Sequence, residues 1–326
     1  MQTKAICIHE YGGPEQMRWQ DLELAEPVAD QVQVRHQAVG LNYIDVYHRT
    51  GLYPTPPLPC VLGMEAAGIV EAVGPEVVDF SPGDRVAYAS PPLGAYAQAR
   101  NIAAGRLVPL PDGIDFEQAA AMMLQGMTAE YLLRRTYPVQ AGQTVLFHAA
   151  AGGVGLIFSQ WAKHLGATVI GTVGSEEKAA IAKAHGCDHT ILYREEDVVA
   201  RVRELTAGKG VPVVYDGVGR DTWTASLDCL APRGMMVSFG NASGKVPPLE
   251  LGELTSRGSL YVTRPTLMTY TADTGEMRES AAALFDLVQS GVIRIDINQR
   301  YPLAEAAEAH RALEGRRTSG STILLP

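Results

Sequence analysis

Thr144-Val-Leu-Phe-His-Ala-Ala-Ala-Gly-Gly-Val-Gly155 is the stretch that decides the fold. Its first part is a short apolar run typical of a buried strand, and a helical pattern over 153–165 follows it directly. The spacing fits a dinucleotide-binding turn with Ala150 in the first glycine position, Gly152 in the second and Gly155 in the third. A strand, this turn and a helix in that order predict the first βα unit of a parallel sheet.

The rest of the second half repeats this alternation of strand and helix patterns. Ser175 is expected to cap one helix, which stops at Gly186. The other expected helices include 116–133, 195–205 and 221–230, and the expected strands are 167–173, 189–193, 211–216, 235–239 and 259–263. Alternation of this length predicts a doubly wound parallel sheet, the Rossmann architecture, in an α/β protein.

The first third of the chain has a different pattern. Residues 31–36 alternate polar and apolar side chains, and short apolar runs separated by glycine and proline follow. Strands at such short spacing predict a small antiparallel barrel or sandwich. After Arg264, helices near 279–289 and 304–313 are too little for a third domain, so the tail is expected to return to the first.

Composition and charge exclude several classes of function. The 326 residues are comfortable for two domains, and the net charge of −9 without a basic run argues against nucleic-acid binding. No stretch approaches the length of a membrane span or a signal peptide. Four scattered cysteines, with no C-x-x-C pair, predict reduced thiols rather than disulfides or structural zinc. A cytoplasmic protein is expected.

The end of the second expected strand indicates which dinucleotide binds. NAD sites usually place Asp or Glu there, where it binds the ribose 2′-hydroxyl. Here Val173 takes that place, and a 2′-phosphate meets no carboxylate. Lys178, one turn into the next helix, is a candidate partner for that phosphate. NADPH is therefore favoured over NADH.

Six stretches, in order along the chain, carry a resemblance to a known family. The chain resembles the quinone oxidoreductases of the medium-chain dehydrogenase/reductase superfamily, the ζ-crystallin-like group, and especially the bacterial NADPH:quinone reductases. The matching stretches are Gly40-Leu-Asn-Tyr-Ile-Asp-Val-Tyr-His-Arg-Thr-Gly-Leu-Tyr-Pro54, Gly63-Met-Glu-Ala-Ala-Gly-Ile-Val70, Phe147-His-Ala-Ala-Ala-Gly-Gly-Val-Gly155, Val214-Tyr-Asp-Gly-Val-Gly219, Val237-Ser-Phe-Gly-Asn241 and Tyr261-Val-Thr-Arg-Pro265.

The resemblance implies a domain arrangement and a set of cofactor contacts. It implies a GroES-like, antiparallel barrel-type catalytic domain over 1–126 and 266–326, interrupted by a Rossmann domain over 127–265 that binds NADPH. The contacts it implies are Asn42 and Thr128 at the nicotinamide end, Gly152, Gly153 and Val154 at the pyrophosphate, Gly174, Lys178, Tyr193 and Arg316 around the 2′-phosphate, and Phe239, Gly240 and Asn241 along the ribose and nicotinamide. Tyr193 and Arg316 also have ordinary interpretations, as a strand-end tyrosine and a surface arginine.

Zinc alcohol dehydrogenases share this layout, but their metal ligands are missing here. The segment that matches their Gly-His-Glu motif is Gly63-Met64-Glu65, and the position of their early cysteine falls at 41–43, where there is no thiol. Zinc needs several nitrogen or sulfur donors, and none can be assembled from these residues. Without a metal to polarise it, the acceptor is expected to be intrinsically electron-poor, as a quinone or a conjugated carbonyl is.

Tyr47, Tyr53 and Arg264 are the candidate catalytic residues. The resemblance places all three at the substrate mouth, where a tyrosine offers an aromatic face and a hydroxyl donor, and Arg264 offers positive charge to a developing oxyanion. Alternatives remain: Tyr53-Pro54 is also a common packing corner, and Arg264 is equally suited to orienting the cofactor alone. His148 comes shortly before the glycine-rich turn and could be catalytic, but a structural role is favoured.

Three functions are weighed from the sequence. The first is NADPH:quinone reduction, the second is NADPH-dependent reduction of α,β-unsaturated carbonyls on the same scaffold, and the third is RNA binding or structural accumulation, as in some ζ-crystallin relatives. The negative charge disfavours RNA. A homodimer is expected through the terminal Rossmann strand near Tyr261, because an edge strand presents unpaired backbone groups.

Overall fold

Two structural units divide the chain in the computed structural model, which describes all residues from Met1 to Pro326. The first unit comprises Met1–Met127, Thr271–Gln289 and Ile295–Pro326. The second comprises Thr128–Tyr270 and Ser290–Arg294. None of the helices combines the length and the apolar character needed to cross a lipid bilayer.

The strands and helices are numbered in chain order. The strands are β1 (Gln2–Ile8), β2 (Arg18–Glu23), β3 (Gln31–Leu41), β4 (Cys60–Val61), β5 (Glu65–Val73), β6 (Arg85–Ala89), β7 (Ala99–Ala103), β8 (Val108–Pro109), β9 (Thr144–Phe147), β10 (Thr168–Val173), β11 (His189–Leu192), β12 (Val211–Asp216), β13 (Leu230–Ser238), β14 (Tyr261–Thr263), β15 (Ile297–Pro302) and β16 (Ser321–Leu325). The helices are α1 (Tyr43–Arg49), α2 (Phe116–Tyr131), α3 (Gly153–His164), α4 (Glu176–Ala184), α5 (Val198–Leu205), α6 (Trp223–Asp228), α7 (Leu251–Ser256), α8 (Leu267–Tyr270), α9 (Thr274–Gln289) and α10 (Ala306–Glu314).

Two sheets build the first unit. The larger has the order β15-β16-β3-β5-β6-β8, with β7 also paired to β3, and every pair except β15 with β16 is antiparallel. The smaller has the order β2-β1-β4. Apolar residues of β3 such as Val32 and Val34 are fully buried in the core between these elements. The tail returns to this unit, because β16 pairs with β3 at Ile323 and Gly40.

A six-stranded parallel sheet forms the centre of the second unit. Its order is β11-β10-β9-β12-β13-β14, so the chain winds outward from β9 in one direction and from β12 in the other. Helices separate successive strands, as the doubly wound prediction requires. The loops that follow β9 and β12 diverge at the carboxyl end of the sheet, the switch point at which such folds bind ligands.

Several predicted boundaries were wrong, for local reasons. The helix expected from residue 195 begins at Val198, because the Asp197 side chain accepts a hydrogen bond from the Ala200 N–H and caps it. Glu196 instead accepts from the Leu192 N–H at 2.7 Å. The helix expected over 221–230 is shorter, since β13 already begins at Leu230. In the tail, α9 begins at Thr274 rather than near residue 279.

Candidate functional site

The turn between β9 and α3 lies at the switch point of the parallel sheet. Gly152 is the N-cap of α3 and has an extended backbone, while Ala149 adopts a positive φ of 59°. At Gly155 a Cβ atom would lie 2.6 Å from the carbonyl oxygen of Ala150, so only glycine allows this close approach of helix and loop. The first N–H groups of α3, a helix of 12 residues, therefore point out of the turn and suit a pyrophosphate.

Three of the four residues expected around a 2′-phosphate follow the neighbouring strands β10 and β11 or lie in the first turn of α4: Gly174, Tyr193 and Lys178. A Cβ atom on Gly174 would lie 2.8 Å from the Tyr193 hydroxyl, which places these two residues side by side. Ser175 caps α4 by accepting from the Lys178 N–H at 3.3 Å, so Lys178 follows in the first turn of that helix. Glu176 and Glu177 also lie in this turn, where they complement the helix dipole.

Arg194 is a cation in this region that the sequence analysis missed. Its guanidinium lies 6.0 Å from the centre of the Tyr193 ring, and both side chains are exposed. Its position directly after Tyr193 was the available signal. This cation beside Tyr193 adds to the positive charge that a phosphate would meet there.

The loop after β13 carries Phe239, Gly240 and Asn241, and Arg264 supports it. The Arg264 Nη1 donates to the carbonyl oxygens of Ser238 at 2.8 Å and Gly240 at 2.9 Å. This guanidinium thus fixes the backbone of the loop expected to line the ribose and nicotinamide. Its geometry is that of a positioning residue, which the sequence analysis had left as one of two alternatives.

A buried hydrogen-bond chain joins the ends of three parallel strands beneath these loops. The Asp216 carboxylate accepts four hydrogen bonds: from the N–H groups of Val218 and Gly219 and from the hydroxyls of Thr222 and Ser226. Because Ser226 gives its single proton to Asp216 at 2.7 Å, His148 Nε2 must donate to Ser226 at 2.9 Å.

The remaining nitrogen of His148 then fixes the direction of the last bond. His148 Nδ1 accepts from the Thr172 hydroxyl at 3.0 Å, and that hydroxyl oxygen also accepts from the Ala149 N–H at 3.3 Å. Burial lowers the pKa of His148, in keeping with a neutral ring. His148 is therefore a structural residue that ties the ends of β9, β10 and β12 together.

In the first unit, α1 and the segment after it carry a cluster of three tyrosines. The ring centres of Tyr47 and Tyr53 lie 5.0 Å apart, and those of Tyr43 and Tyr47 lie 5.5 Å apart. The Tyr53 N–H donates to the Tyr47 carbonyl oxygen, which brings the chain back against the helix. Tyr43 was missed, although its i, i+4 spacing from Tyr47 places both on one helix face.

Asn42 precedes α1 and lies beside the buried carboxyl group of Glu65. Asn42 Nδ2 lies 2.5 Å from Glu65 Oε2, and Glu65 Oε1 accepts from the Leu124 N–H at 2.8 Å. Gln125 Nε2 lies 3.2 Å from Asn42 Oδ1. The Asn42 side chain is therefore held on both sides before any ligand binds.

A second buried chain of hydrogen bonds holds α1 through its residues Asp45 and Arg49. Arg49 Nη1 donates to His310 Nδ1, so His310 Nε2 donates to Tyr96, whose hydroxyl donates to Asp45 Oδ2. Arg49 also forms a two-pronged ion pair with Glu314 at 2.8 and 2.9 Å. Burial lowers the pKa of His310 to about 3 and raises that of Asp45 to about 7. No spacing in the sequence links these residues.

Thr128 and Arg316 were expected at the cofactor. Thr128 is buried within α2, in the second unit. Arg316 belongs to the first unit, directly after α10, and has a positive φ of 58°. Its positive charge acts on Tyr43, whose pKa is raised by burial and by Glu314 and lowered by Arg316.

The residues that match a zinc-ligand motif do not fit zinc. Met64 is buried and offers only a thioether, and both oxygens of Glu65 are engaged by Asn42 and Leu124. Nowhere in the chain do three or more His, Cys, Asp or Glu side chains form a group able to hold a metal ion. The donor set at these positions lacks the imidazole and thiolate ligands of a zinc site.

Two family models match the chain. Residues 28–141 match the alcohol dehydrogenase GroES-like domain, and residues 153–286 match the zinc-binding dehydrogenase family. The second description is that of the wider family, and the residues at the metal positions of this chain depart from it.

Curated relatives and solved structures match over nearly the full length. A quinone oxidoreductase of Pseudomonas aeruginosa is 60% identical, covering 99% of this chain and 100% of the relative. The crystal structure of Escherichia coli quinone oxidoreductase complexed with NADPH superposes with a TM-score of 0.98 at 53% identity, covering 99% of this chain and 100% of that one. A 2-haloacrylate reductase of Burkholderia is 49% identical, covering 99% of this chain and 98% of the relative.

Proposed function

The chain belongs to the zinc-free quinone oxidoreductases of the medium-chain dehydrogenase/reductase superfamily, and from this premise we propose that it reduces quinones with NADPH, using the residues described above. NADPH supplies the hydride when it is bound. The chain's own residues hold the cofactor, hold the acceptor and provide hydrogen bonds to the acceptor oxygen.

The observation that carries the proposal is the turn before α3, together with the cluster at the end of β10. The N–H groups of Gly153 and Val154 suit a pyrophosphate, and Gly152 allows its close approach. Gly174 and Tyr193 lie side by side after β10 and β11, and Lys178 follows in the first turn of α4. We assign the 2′-phosphate to this position, with Arg316 as a further partner. Phe239, Gly240 and Asn241 then line the ribose and nicotinamide on the loop that Arg264 supports, with Asn42 and Thr128 at the nicotinamide end.

Tyr47 and Tyr53 are assigned to the acceptor. Their tilted rings offer aromatic faces to a flat, electron-poor ring, and their hydroxyls are donors for the oxygen that gains negative charge. Such an acceptor needs little polarisation, so orientation of its ring supplies most of the rate enhancement. Arg264 holds the loop backbone, and a role of its positive charge toward the acceptor oxygen stays part of the proposal.

Stopped-flow NADPH oxidation with an acceptor panel tests this function. The panel contains benzoquinones, naphthoquinones, alkenals and 2-haloacrylate, the last because of the Burkholderia relative. We expect kcat/KM to be highest with a quinone, and radical detection in the same experiment distinguishes one-electron from two-electron delivery. Faster turnover of alkenals or haloacrylate than of any quinone would contradict the proposal and favour an enone-type reductase.

We also propose a homodimer that forms through β14. This strand pairs only with β13, which leaves its other edge open, and Tyr261 on it is 59% exposed. Exposed Leu251 on α7 adds apolar surface in the same unit. Antiparallel pairing of β14 with its copy would continue the sheet across a two-fold axis.

Light scattering during gel filtration tests the dimer. Tyr261→Glu should shift the protein toward monomer, while Tyr11→Glu, at another exposed tyrosine, should leave the mass unchanged. A Tyr261→Glu protein with the mass of the unmodified protein would rule out this edge. A cytoplasmic location is proposed because all four cysteines are free thiols, as is usual in a reducing compartment.

A further inference from the structure

The segment that follows α1 carries Tyr53 and has little regular structure of its own. Residues 51–59 include four prolines, at positions 54, 56, 57 and 59, so only five backbone N–H groups remain in it. The segment forms neither helix nor strand before β4 begins. The position of Tyr53 therefore depends on contacts that other parts of the first unit make with this segment.

Two hydrogen bonds hold the segment against α1. The Tyr53 N–H donates to the Tyr47 carbonyl oxygen at 3.1 Å, and His48 Nδ1 lies 3.0 Å from the Pro54 carbonyl oxygen. Because a carbonyl oxygen can only accept, His48 Nδ1 carries the proton. The rings of His48 and Tyr53 also meet edge to face, with their centres 6.0 Å apart. His48 thus contacts both the Tyr53 ring and the backbone of the next residue.

The bond to Pro54 is the one hydrogen bond of the His48 side chain. His48 is 8% exposed, and its other ring nitrogen, Nε2, is buried without a hydrogen-bond partner. Burial lowers the pKa of His48, in keeping with a neutral ring that has its proton on Nδ1. A buried nitrogen without a partner costs free energy, so the ring is not placed here for the sake of Nε2. Its polar contact is made with the segment that carries Tyr53.

The loop after β1 holds the same segment through Tyr11. The Tyr11 hydroxyl lies 2.9 Å from Thr55 Oγ1, and the Thr55 hydroxyl donates to the Pro56 carbonyl oxygen at 2.8 Å. Since Thr55 has a single proton, Tyr11 is the donor in the first of these bonds. The Tyr11 ring lies against Gly51, where a Cβ atom would come within 2.9 to 3.2 Å of three ring atoms. Tyr11 therefore contacts the segment two residues before and two residues after Tyr53.

Both partners in the contact of Tyr11 with Gly51 are fixed. Gly51 follows α1 with a positive φ of 75°, which glycine adopts without strain, and its missing side chain leaves room for the ring. The loop of Tyr11 is attached to the end of α1, because the Gly12 N–H donates to the Arg49 carbonyl oxygen and Arg49 Nε donates to the Gly12 carbonyl oxygen. Tyr11 is 46% exposed, yet its position is determined by these bonds.

We propose that Tyr11 and His48 are positioning residues for Tyr53, which they hold where it meets the acceptor. This inference rests on the acceptor contact of Tyr53 proposed above. Tyr11 spans the segment from Gly51 to Thr55, and His48 bonds to Pro54, so the backbone is supported on both sides of Tyr53. An acceptor then binds a preformed aromatic surface and does not have to order the segment first.

Loosening the segment should weaken acceptor binding more than it slows turnover. When only a fraction of the molecules has Tyr53 in place, the apparent affinity for the acceptor falls by that fraction. Tyr11→Leu removes both contacts and should raise the KM for 1,4-benzoquinone about five- to tenfold, with kcat and the Kd of NADPH nearly unchanged. Tyr11→Phe keeps the ring on Gly51 and loses only the hydroxyl bond, so a rise of about two- to threefold is expected.

A second pair of variants isolates the hydrogen bond of His48. His48→Leu removes the donor to the Pro54 carbonyl oxygen and should raise the same KM about fivefold. His48→Asn keeps a side-chain N–H and should stay within about twofold of the unmodified protein. Tyr301→Phe on β15 is the control, because the Tyr301 hydroxyl takes no part in these contacts, and its KM should be unchanged. A His48→Asn protein as impaired as His48→Leu would overturn the role of this bond.

The effect of Tyr11 must act through Tyr53. In a Tyr53→Ala background there is no ring to position, so the addition of Tyr11→Leu should change the KM by less than about twofold. An equal rise of the KM in both backgrounds would overturn the proposal, because Tyr11 would then act without Tyr53. A KM that Tyr11→Leu leaves unchanged in the otherwise unmodified protein would overturn it as well.

Hydrogen exchange of the full-length protein, followed by mass spectrometry, measures the support of the segment without a substrate. Exchange in a peptide that spans residues 51–59 should be several-fold faster in Tyr11→Leu and His48→Leu than in Tyr301→Phe, since the Tyr53 N–H loses its bond to Tyr47 more often. Unchanged exchange would overturn the proposal. Faster exchange, with a KM that even Tyr53→Ala leaves unchanged, would instead refute the acceptor contact of Tyr53, and the positioning role would fall with it.

Discussion

Replacing Thr172 by valine tests the buried chain beneath the cofactor loops. Valine keeps the shape of the side chain but removes the hydroxyl that donates to His148 Nδ1 at 3.0 Å and accepts from the Ala149 N–H at 3.3 Å. His148 is only 2% exposed, so no bulk water reaches its nitrogen in place of the hydroxyl. An unsatisfied buried acceptor costs about 1–3 kcal/mol, and the longer Ala149 bond adds less. We expect the free energy of unfolding to fall by about 2–3 kcal/mol.

Thr172→Ser separates the hydroxyl from the methyl group. Serine keeps both hydrogen bonds and loses one buried methyl, which costs about 0.8 kcal/mol. Thr190→Val on the neighbouring strand is the control, because the Thr190 hydroxyl is not part of the hydrogen-bond chain through His148. We expect this substitution to change the free energy of unfolding by at most about 0.5 kcal/mol.

Urea unfolding followed by tryptophan fluorescence measures these differences. Trp161 and Trp223 are buried in the second unit and report on its unfolding. NADPH affinity should follow the same order, since Thr172 directly precedes the segment that includes Gly174. A valine protein as stable as the serine protein would refute the contribution of the Thr172 hydroxyl bonds to stability.

Three further predictions concern the acceptor, the cofactor and acid stability. Tyr53→Phe should lower kcat with quinones several-fold while the Kd of NADPH is nearly unchanged; unchanged turnover would remove this hydroxyl from the mechanism. Lys178→Ala should weaken NADPH binding about tenfold but leave NADH binding nearly as it is, because only NADPH carries the 2′-phosphate, and equal losses for both would mean that the phosphate lies elsewhere. Burial lowers the pKa of His36 to about 4, so the neutral ring contributes stability that is complete above pH 6.5 and is lost as the pH falls toward 4. His36→Asn, which keeps a donor for the Ala97 carbonyl, should therefore show a shallower loss of unfolding free energy between pH 6.5 and 4, and an identical slope would contradict this.

The parallel sheet could be predicted from the sequence because its strands and helices are local, periodic and separated by capped turns. Ser175 was predicted to cap α4 and does so, and the helix ends before Gly186, as predicted. The predicted helix boundaries were wrong where side chains form hydrogen bonds with backbone groups. Because the Asp197 carboxylate caps α5, this helix begins almost one turn later in the sequence than its apolar pattern predicts.

The candidate site was predictable only in part, because two kinds of contact leave different traces in a sequence. Tyr43 could have been found, since i, i+4 residues share a helix face. The hydrogen bonds of Asn42 with Glu65 and of Tyr96 with His310 join residues far apart in the chain and follow from no spacing. Resemblance suggested a role for Arg264 in oxyanion stabilisation, whereas its bonds to two backbone carbonyls emerge only from the fold.

The pairing of β16 with β3 has a consequence for biosynthesis. Strand β3 leaves the ribosome early, but its neighbour at Ser321–Leu325 is made only after the whole second unit. The second unit is nearly continuous in sequence and can fold before β16 is made. During that time the first unit has an open sheet edge at β3. Nascent chains arrested before residue 321 should accordingly resist protease in the nucleotide-binding unit and be cut in the other, and a release of only a few more residues should abolish that difference.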